Sequence, residues 1–380
     1  MKRDNRFVLI LLIVYILFSD SISAKSFLKT DLNIKLIEKD SLKNRTYSEL
    51  KKRFYNAGDD SKRAGNYAKA YLKMAKEKED NIQIANGFLL LSKISKEEEG
   101  LRYADSVLFY GNKSKNKELL IKGNIQKGIH YFYYLAEYNK SLEKLLKAQK
   151  NAVEENNQFQ QIVIKHHIGN LKTVTYQRKE ALEIFRSNVK YFNENMPQNN
   201  EERIQYLKSL FRLANIYNIT KKPDSAEIIN KIGIKETFKS ENKNMYSAFL
   251  ACYGSTLHLS GKIDRALDSL KKSAGLIKNN KLRVATIYLI ICKIHYAKRN
   301  FKLYENYLLK IDSMYAQYPE AIKETKIAYE ALVEFYRDNN NDKQQLIFMN
   351  KLIKIDSVLD EKFKNVNKNI VRNYVSKNIL

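Results

Sequence analysis

The sequence predicts an all-α fold, an α-solenoid of about eight stacked helical hairpins. Three observations carry this. Helix breakers are scarce, with 12 Gly and 3 Pro in 380 residues, and no run alternates apolar and polar residues as a half-buried strand does. Apolar residues recur instead at the three- and four-residue spacing of a helix face. The third observation is a repeating register. Ruler residues stand at Gly128, Gly169, Ala214, Gly254, Cys292 and Leu332, separated by 41, 45, 40, 38 and 40 residues. In four units a partner lies twelve residues on: Gly169 with Ala181, Ala214 with Ala226, Gly254 with Ala266, and Cys292 with Tyr304. Small residues facing one another let two helix backbones approach closely. A single hairpin cannot bury its apolar face, so the units must stack.

Taken in order, Met1–Lys25 reads as an export signal. Lys2, Arg3 and Arg6 precede the apolar run Phe7–Phe18, and small residues follow at cleavage spacing, either Ser21/Ser23 or Ile22/Ala24. The run has 12 residues, short of the roughly 20 that cross a bilayer as a helix. Residues 1–24 are assigned to the signal and 25–45 to a polar lead-in. The array is expected over 46–360. Phe54, Tyr55, Ala68, Leu72 and Ala75 mark a degenerate first hairpin, and Ala85–Ile94 with Leu101–Tyr110 a second. In the Gly128 unit the partner is Ser141, one residue late, with Leu145 and Ala148 beyond it. Phe185, Ile229, Leu270 and Leu308 continue the second-helix faces, and the last unit, Tyr329–Asp360, lacks the small pair. Residues 361–380 continue the helical pattern as a cap or as the start of an exit helix. About 16 to 18 helices are expected.

The formal charge is +26, from 68 basic and 42 acidic residues. The lysines are dispersed, which favours a solvated basic surface, with weak contact to an anionic membrane surface as the other reading. Export argues against nucleic acid as a partner. Cys252 and Cys292 are read as two small buried side chains, with a disulfide left open. The five histidines fall on first helices without metal-ligand spacing, and no catalytic motif or phosphate loop occurs. A non-enzymatic chain without cofactor or metal is expected.

The clearest unit is Tyr246–Lys278. Its Leu250, Tyr253, Gly254, Leu257, Ala266 and Leu270 fall on the pattern W-x2-L-G-x2-Y…A-x3-F. The unit thus resembles a tetratricopeptide (TPR) hairpin, which implies a right-handed superhelix whose first helices line a groove for a protein or peptide. In that fold the position four after the ruler faces the groove, giving Phe132, Thr173, Asn218, His258, Tyr296 and Tyr336. The position one after it gives Asn170, Asn215, Ser255 and Lys293. Some TPR domains clamp a terminal carboxylate with Lys and Asn. Asn170 and Asn215 are similar, but His166 and Ala248 stand where that clamp has basic residues, so its function is not carried over. With its signal and long-period hairpins, the chain also resembles the periplasmic TPR halves of membrane-bound transcriptional regulators and histidine kinases of Bacteroidetes-type bacteria. The resemblance implies an extracytoplasmic sensor portion lacking its effector. The alternative is a stand-alone periplasmic scaffold or envelope assembly factor. Oligomeric state is left open.

Overall fold

The computed structural model describes residues 45–58, 60–239, 242–277, 280–315 and 322–375, and beyond Leu359 only the backbone. The signal over 1–24 and, except for Arg45, the lead-in lie outside the described residues. Among the described residues the chain forms 16 helices and no strand. They pair in order as eight hairpins. The first four are α1 (Tyr47–Asn56) with α2 (Ser61–Glu77), α3 (Asn81–Ile94) with α4 (Glu97–Lys113), α5 (Lys117–Tyr133) with α6 (Tyr138–Glu154), and α7 (Gln158–Val174) with α8 (Arg178–Glu194). The others are α9 (Asn200–Ile219) with α10 (Pro223–Lys239), α11 (Lys243–Leu259) with α12 (Ile263–Leu276), α13 (Lys281–Ala297) with α14 (Phe301–Tyr315), and α15 (Ile322–Asp338) with α16 (Asp342–Val375). The fold is an α-solenoid of TPR-like hairpins.

Asp or Asn opens six of the first helices, while Thr46 opens α1 and Asp60 caps the second helix α2. Asp80, Asn116, Asn157, Asn199, Asn242 and Asn280 each accept a backbone N–H from the first turn, satisfying donors a helix start leaves free. The second helices α6, α8 and α12 have no such side-chain bond. Their turns run through one residue in the left-handed region, Ala136 at φ 53°, Tyr176 at 63° and Gly261 at 72°, as do the turns before α3, α5 and α7 at Glu79, Lys115 and Asn156. At Gly261 the absent Cβ removes the steric cost. The next N–H, of Lys262, then reaches the Leu257 carbonyl at 2.9 Å and closes α11.

The twelve-residue register is a close approach. A Cβ built on Gly254 meets Leu270 Cγ at 2.7 Å and the Ala266 carbonyl oxygen at 3.1 Å; one on Gly169 meets the Phe185 ring at 2.8 Å. From these contacts the core runs as a spine, through Leu50 and Phe54, Ile121 and Leu145, Phe185 and Leu210, to Leu270, Ile291 and Leu308. First helices also pack on the first helices of the next hairpin, from α3 on α5 through α13 on α15. They therefore occupy the inner, more tightly curved side, and their remaining free face is concave.

Helix α16 runs unbroken from Asp342 to Val375, so the boundary placed at 360/361 falls inside one helix. Along it Ile355 is buried while Ile353 and Val358 are exposed. No helix of the described residues is long and apolar enough to cross a membrane. Both cysteines are free and buried. They face different neighbours: Cys252 Sγ accepts from Asn218 Nδ2 on α9 at 3.4 Å, and Cys292 Sγ lies 3.8 Å from the Tyr304 carbonyl on α14. The pairing left open by the sequence is not formed.

Candidate binding groove

A cleft of about 450 Å³ opens on the concave side. Five consecutive first helices build it. Tyr133 comes from α5, His166 and His167 from α7, and Lys208, Phe211, Arg212 and Asn215 from α9. Met245, Ala248, Ala251, Cys252 and Ser255 come from α11, and Arg283, Thr286, Ile287 and Ile290 from α13. On α11 these residues are three or four apart, or adjacent, which is one stripe of a helix. The wall is mostly apolar along α11 and α13, with Arg283 near the start of α13, and carries Lys208 and Arg212 along α9.

Tyr133 is the junction of the polar side. Its hydroxyl accepts from Asn170 Nδ2 at 3.3 Å and from Arg212 Nη2 at 3.4 Å, joining α5, α7 and α9. The Arg212 guanidinium also lies 5.7 Å from the Phe211 ring centroid. Arg283 donates to the Asn244 carbonyl at 3.2 Å and so ties α13 to the start of α11. His166 is only 4% exposed and packs edge-on to His167, ring centroids 5.3 Å apart. Its Nδ1 and Asn170 Oδ1 are buried without a hydrogen-bond partner among the described residues.

Charge accumulates here. Burial first, then the fields of His167, Arg212 and Lys208, hold His166 well below the usual imidazole range. Burial, Lys208 and Arg212 push His167 down to about 3. Lys208 is itself pushed down, by desolvation and then by Lys93, with Glu201 opposing the shift and Arg212 adding to it. Lys93 belongs to α3, so the basic field spans from the second hairpin to the fifth. A pocket of about 30 Å³ lined by Lys51, Tyr55, Lys93, Lys122 and Glu201 marks that meeting point. The Cys252 thiol, on the apolar wall, is pushed up to about 12 by burial, against smaller opposing contributions from Asn230 and Asn218. It is therefore held as a protonated thiol.

No family model matches the chain, and no curated protein matches it. Solved structures do match in fold. The apo form of the quorum sensor NprR from B. thuringiensis superposes with a TM-score of 0.58 at 15% identity, covering 86% of this chain and 99% of that one. A Rap protein complexed with Competence and Sporulation Factor gives 0.54 at 9% identity, covering 83% and 99%. The apo form of RapI gives 0.53 at 16%, covering 74% and 97%. The chain shares their fold. At these identities the likeness to NprR and the Rap proteins concerns the backbone path and assigns no groove residue.

The residues expected in the groove separate into four groups. Asn215 and Ser255 line the cleft, and Asn170 reaches it through Tyr133. Thr173, Asn218 and Phe132 are used in packing: Thr173 donates to the Gly169 carbonyl at 2.8 Å, Asn218 donates to the Cys252 carbonyl at 3.1 Å, and Phe132 packs on Tyr133 and Tyr138. His258, Lys293 and Tyr296 lie outside the cleft lining. His258 is half-buried and the other two are exposed, Tyr296 against Phe301 and Tyr304. Tyr336 is a correction. It is 5% exposed, stacks on Phe348 and donates to Glu305 Oε1 at 2.5 Å. The cause is a shifted turn. In the Ala214, Gly254 and Cys292 hairpins the left-handed residue comes seven after the ruler, at Lys221, Gly261 and Arg299; in the last it comes eight after, at Asn340. Counted back from that turn, Tyr336 is equivalent to Tyr217, Leu257 and His295, all buried.

Sequence reasoning missed Lys208, Arg212, Phe211, Ile287 and Ile290. The signal was present. The stripe through the position one after the ruler also runs toward the helix N-terminus, three or four, six or seven, and ten residues back. That direction leads to the cleft.

Proposed function

We propose that the chain is a non-enzymatic protein- or peptide-binding solenoid whose cleft receives an extended segment, and that it serves as the exported sensing portion of a regulatory system. The observation that carries this is the cleft itself, one concavity shared by five hairpins. Any chain lying along it contacts α5 through α13 together, so its binding bears on how those hairpins sit against one another. The wall matches an extended ligand, with apolar side chains on one side and amide, hydroxyl and guanidinium groups on the other to meet backbone carbonyls. A Rap protein of this fold was solved with Competence and Sporulation Factor, and NprR is described as a quorum sensor. Both support a sensing role. Export rests on the N-terminal sequence alone.

Filling the cleft is the direct test. Ala251 lines it and is small enough that Ala251→Trp occupies the space. Peptides selected on the purified chain from a random heptapeptide library are expected to lose at least about tenfold in affinity for this variant, with the unfolding midpoint retained. Unchanged affinity removes the cleft as the binding site. Export is read separately, from a reporter fused after Ser26 that is active only outside the cytoplasm.

A further inference from the structure

The basic side of the cleft is more selective than a peptide groove requires. Among the described residues that line it, none is Asp or Glu, while Lys208 and Arg212 stand one helical turn apart on α9. Lys208 is exposed to the cleft, and the carboxylate whose field reaches it is Glu201, seven residues back on the same helix. Among the described residues Arg212 makes one long bond, to the Tyr133 hydroxyl at 3.4 Å. A second, independent feature lies beneath them. The His166 side chain is buried, lines the cleft and leaves Nδ1 without a partner among the described residues. A buried polar atom without a partner is destabilising, and an incoming ligand that supplies one recovers that free energy. Opposite, Ala248, Ala251, Ile287 and Ile290 form an apolar wall, which a small inorganic anion leaves uncovered and a peptide side chain covers.

We infer that the ligand is an acidic peptide: a carboxylate side chain seats between Lys208 and Arg212 above His166, and a neighbouring apolar side chain packs on Ala251, Ile287 and Ile290. This inference rests on the peptide-binding reading above and adds the class of peptide. Two like charges on one helix turn repel, and a carboxylate between them relieves that repulsion while accepting hydrogen bonds from both. Specificity then follows from charge complementarity at a concave, partly desolvated site.

The probes are three fluorescent, end-blocked heptapeptide pools that share a fixed central Leu. Beside it the first pool carries Glu, the second Gln and the third Lys. Anisotropy titrations use the purified full chain, Lys208→Gln, and the double variant Lys208→Gln/Arg212→Gln. The Glu pool is expected to bind about tenfold or more tightly than the Gln pool, with the Lys pool weakest. Each substitution should shrink the Glu advantage by costing the Glu pool more affinity than the Gln pool. Lys208→Gln alters an exposed side chain and keeps the test decisive should the double variant fail to fold. Equal binding of Glu and Gln pools overturns the acidic selection and leaves the peptide reading standing. Binding of none of the pools, with the chain folded, overturns the peptide reading and this inference with it. A Glu advantage that survives in both variants places the carboxylate elsewhere and overturns the site.

Discussion

Two glycines show how a single residue's neighbours decide the sign of a substitution. Gly254 lies under Leu270, and a Cβ there would stand 2.7 Å from its Cγ and 3.1 Å from the Ala266 carbonyl oxygen. Leu270 can rotate; the carbonyl belongs to a helix held by its own hydrogen bonds. Gly275, in the last turn of α12, has nothing within 4 Å of its Cβ position and an ordinary helical φ. Replacing helical glycine by alanine favours the folded chain by up to about 1 kcal/mol where space allows, and forcing volume into a packed contact costs about 1–3 kcal/mol. Gly254→Val is therefore expected to destabilise by about 1–3 kcal/mol and Gly275→Ala to stabilise by about 0.5 kcal/mol. Urea titration reads both. Shifts of the midpoint in the same direction would show that helix propensity, not the close approach, governs the register.

At the scale of helices, a polar knot fastens the fifth hairpin to the sixth. Thr256 of α11 places its hydroxyl 2.9 Å from Asn218 Oδ1 on α9 and accepts from Asn230 Nδ2 on α10 at 2.9 Å, and Asn218 Nδ2 donates to the Cys252 carbonyl at 3.1 Å. Thr256 and Asn230 are wholly buried. Thr256→Val keeps the shape and strands the two amides, so a loss of about 1–3 kcal/mol is expected. If the midpoint in urea does not move, water must already serve these groups. The knot also shows what was legible in the sequence. Gly254 with Ala266 and Gly169 with Ala181 could be read because backbone approach restricts the residue at both ends of a fixed interval. The direction of the groove could not. Asn215 and Asn218 lie on the same stripe of α9, and only the packing of α11 sends Asn218 into the knot and leaves Asn215 open. Lys208 and Arg212 looked like two more of the dispersed basic residues. What separates them is that α7, α11 and α13 enclose the space above α9, a relation between four hairpins that no local spacing encodes. Tyr336 failed for a smaller reason, a turn one residue later than its equivalents.

For the whole molecule, the buried histidines couple stability to pH along most of the solenoid. His130 lies on α5, His166 and His167 on α7, and His295 on α13; burial pushes all four below the ordinary value of 6.5, opposed at His130 by its bond to the Ser92 carbonyl at 2.9 Å. An unfolded chain thus binds protons from about pH 6.5 downward while the native chain still excludes them. The stabilisation is fully present above 6.5 and is lost as pH falls toward the native values, each histidine contributing up to about 1.4 kcal/mol per pH unit within its window. Glu227 acts lower. Its bonds to Lys231 and Lys262 pull its carboxyl down to about 2, so that stabilisation is present above the usual 4.5 and is lost only as pH falls below it. In a repeat array each hairpin rests on its neighbours, so protonation at α5, α7 and α13 weakens separate interfaces and their losses combine. The urea midpoint is expected to be level from about pH 8 to 7 and to fall steadily between about 6.5 and 5. His166→Gln should lower the slope in that interval, because glutamine has no proton to take up. A midpoint that stays level down to about pH 5 would mean that the histidines protonate inside the fold, with the groove admitting enough water and counter-ion to hold the charge.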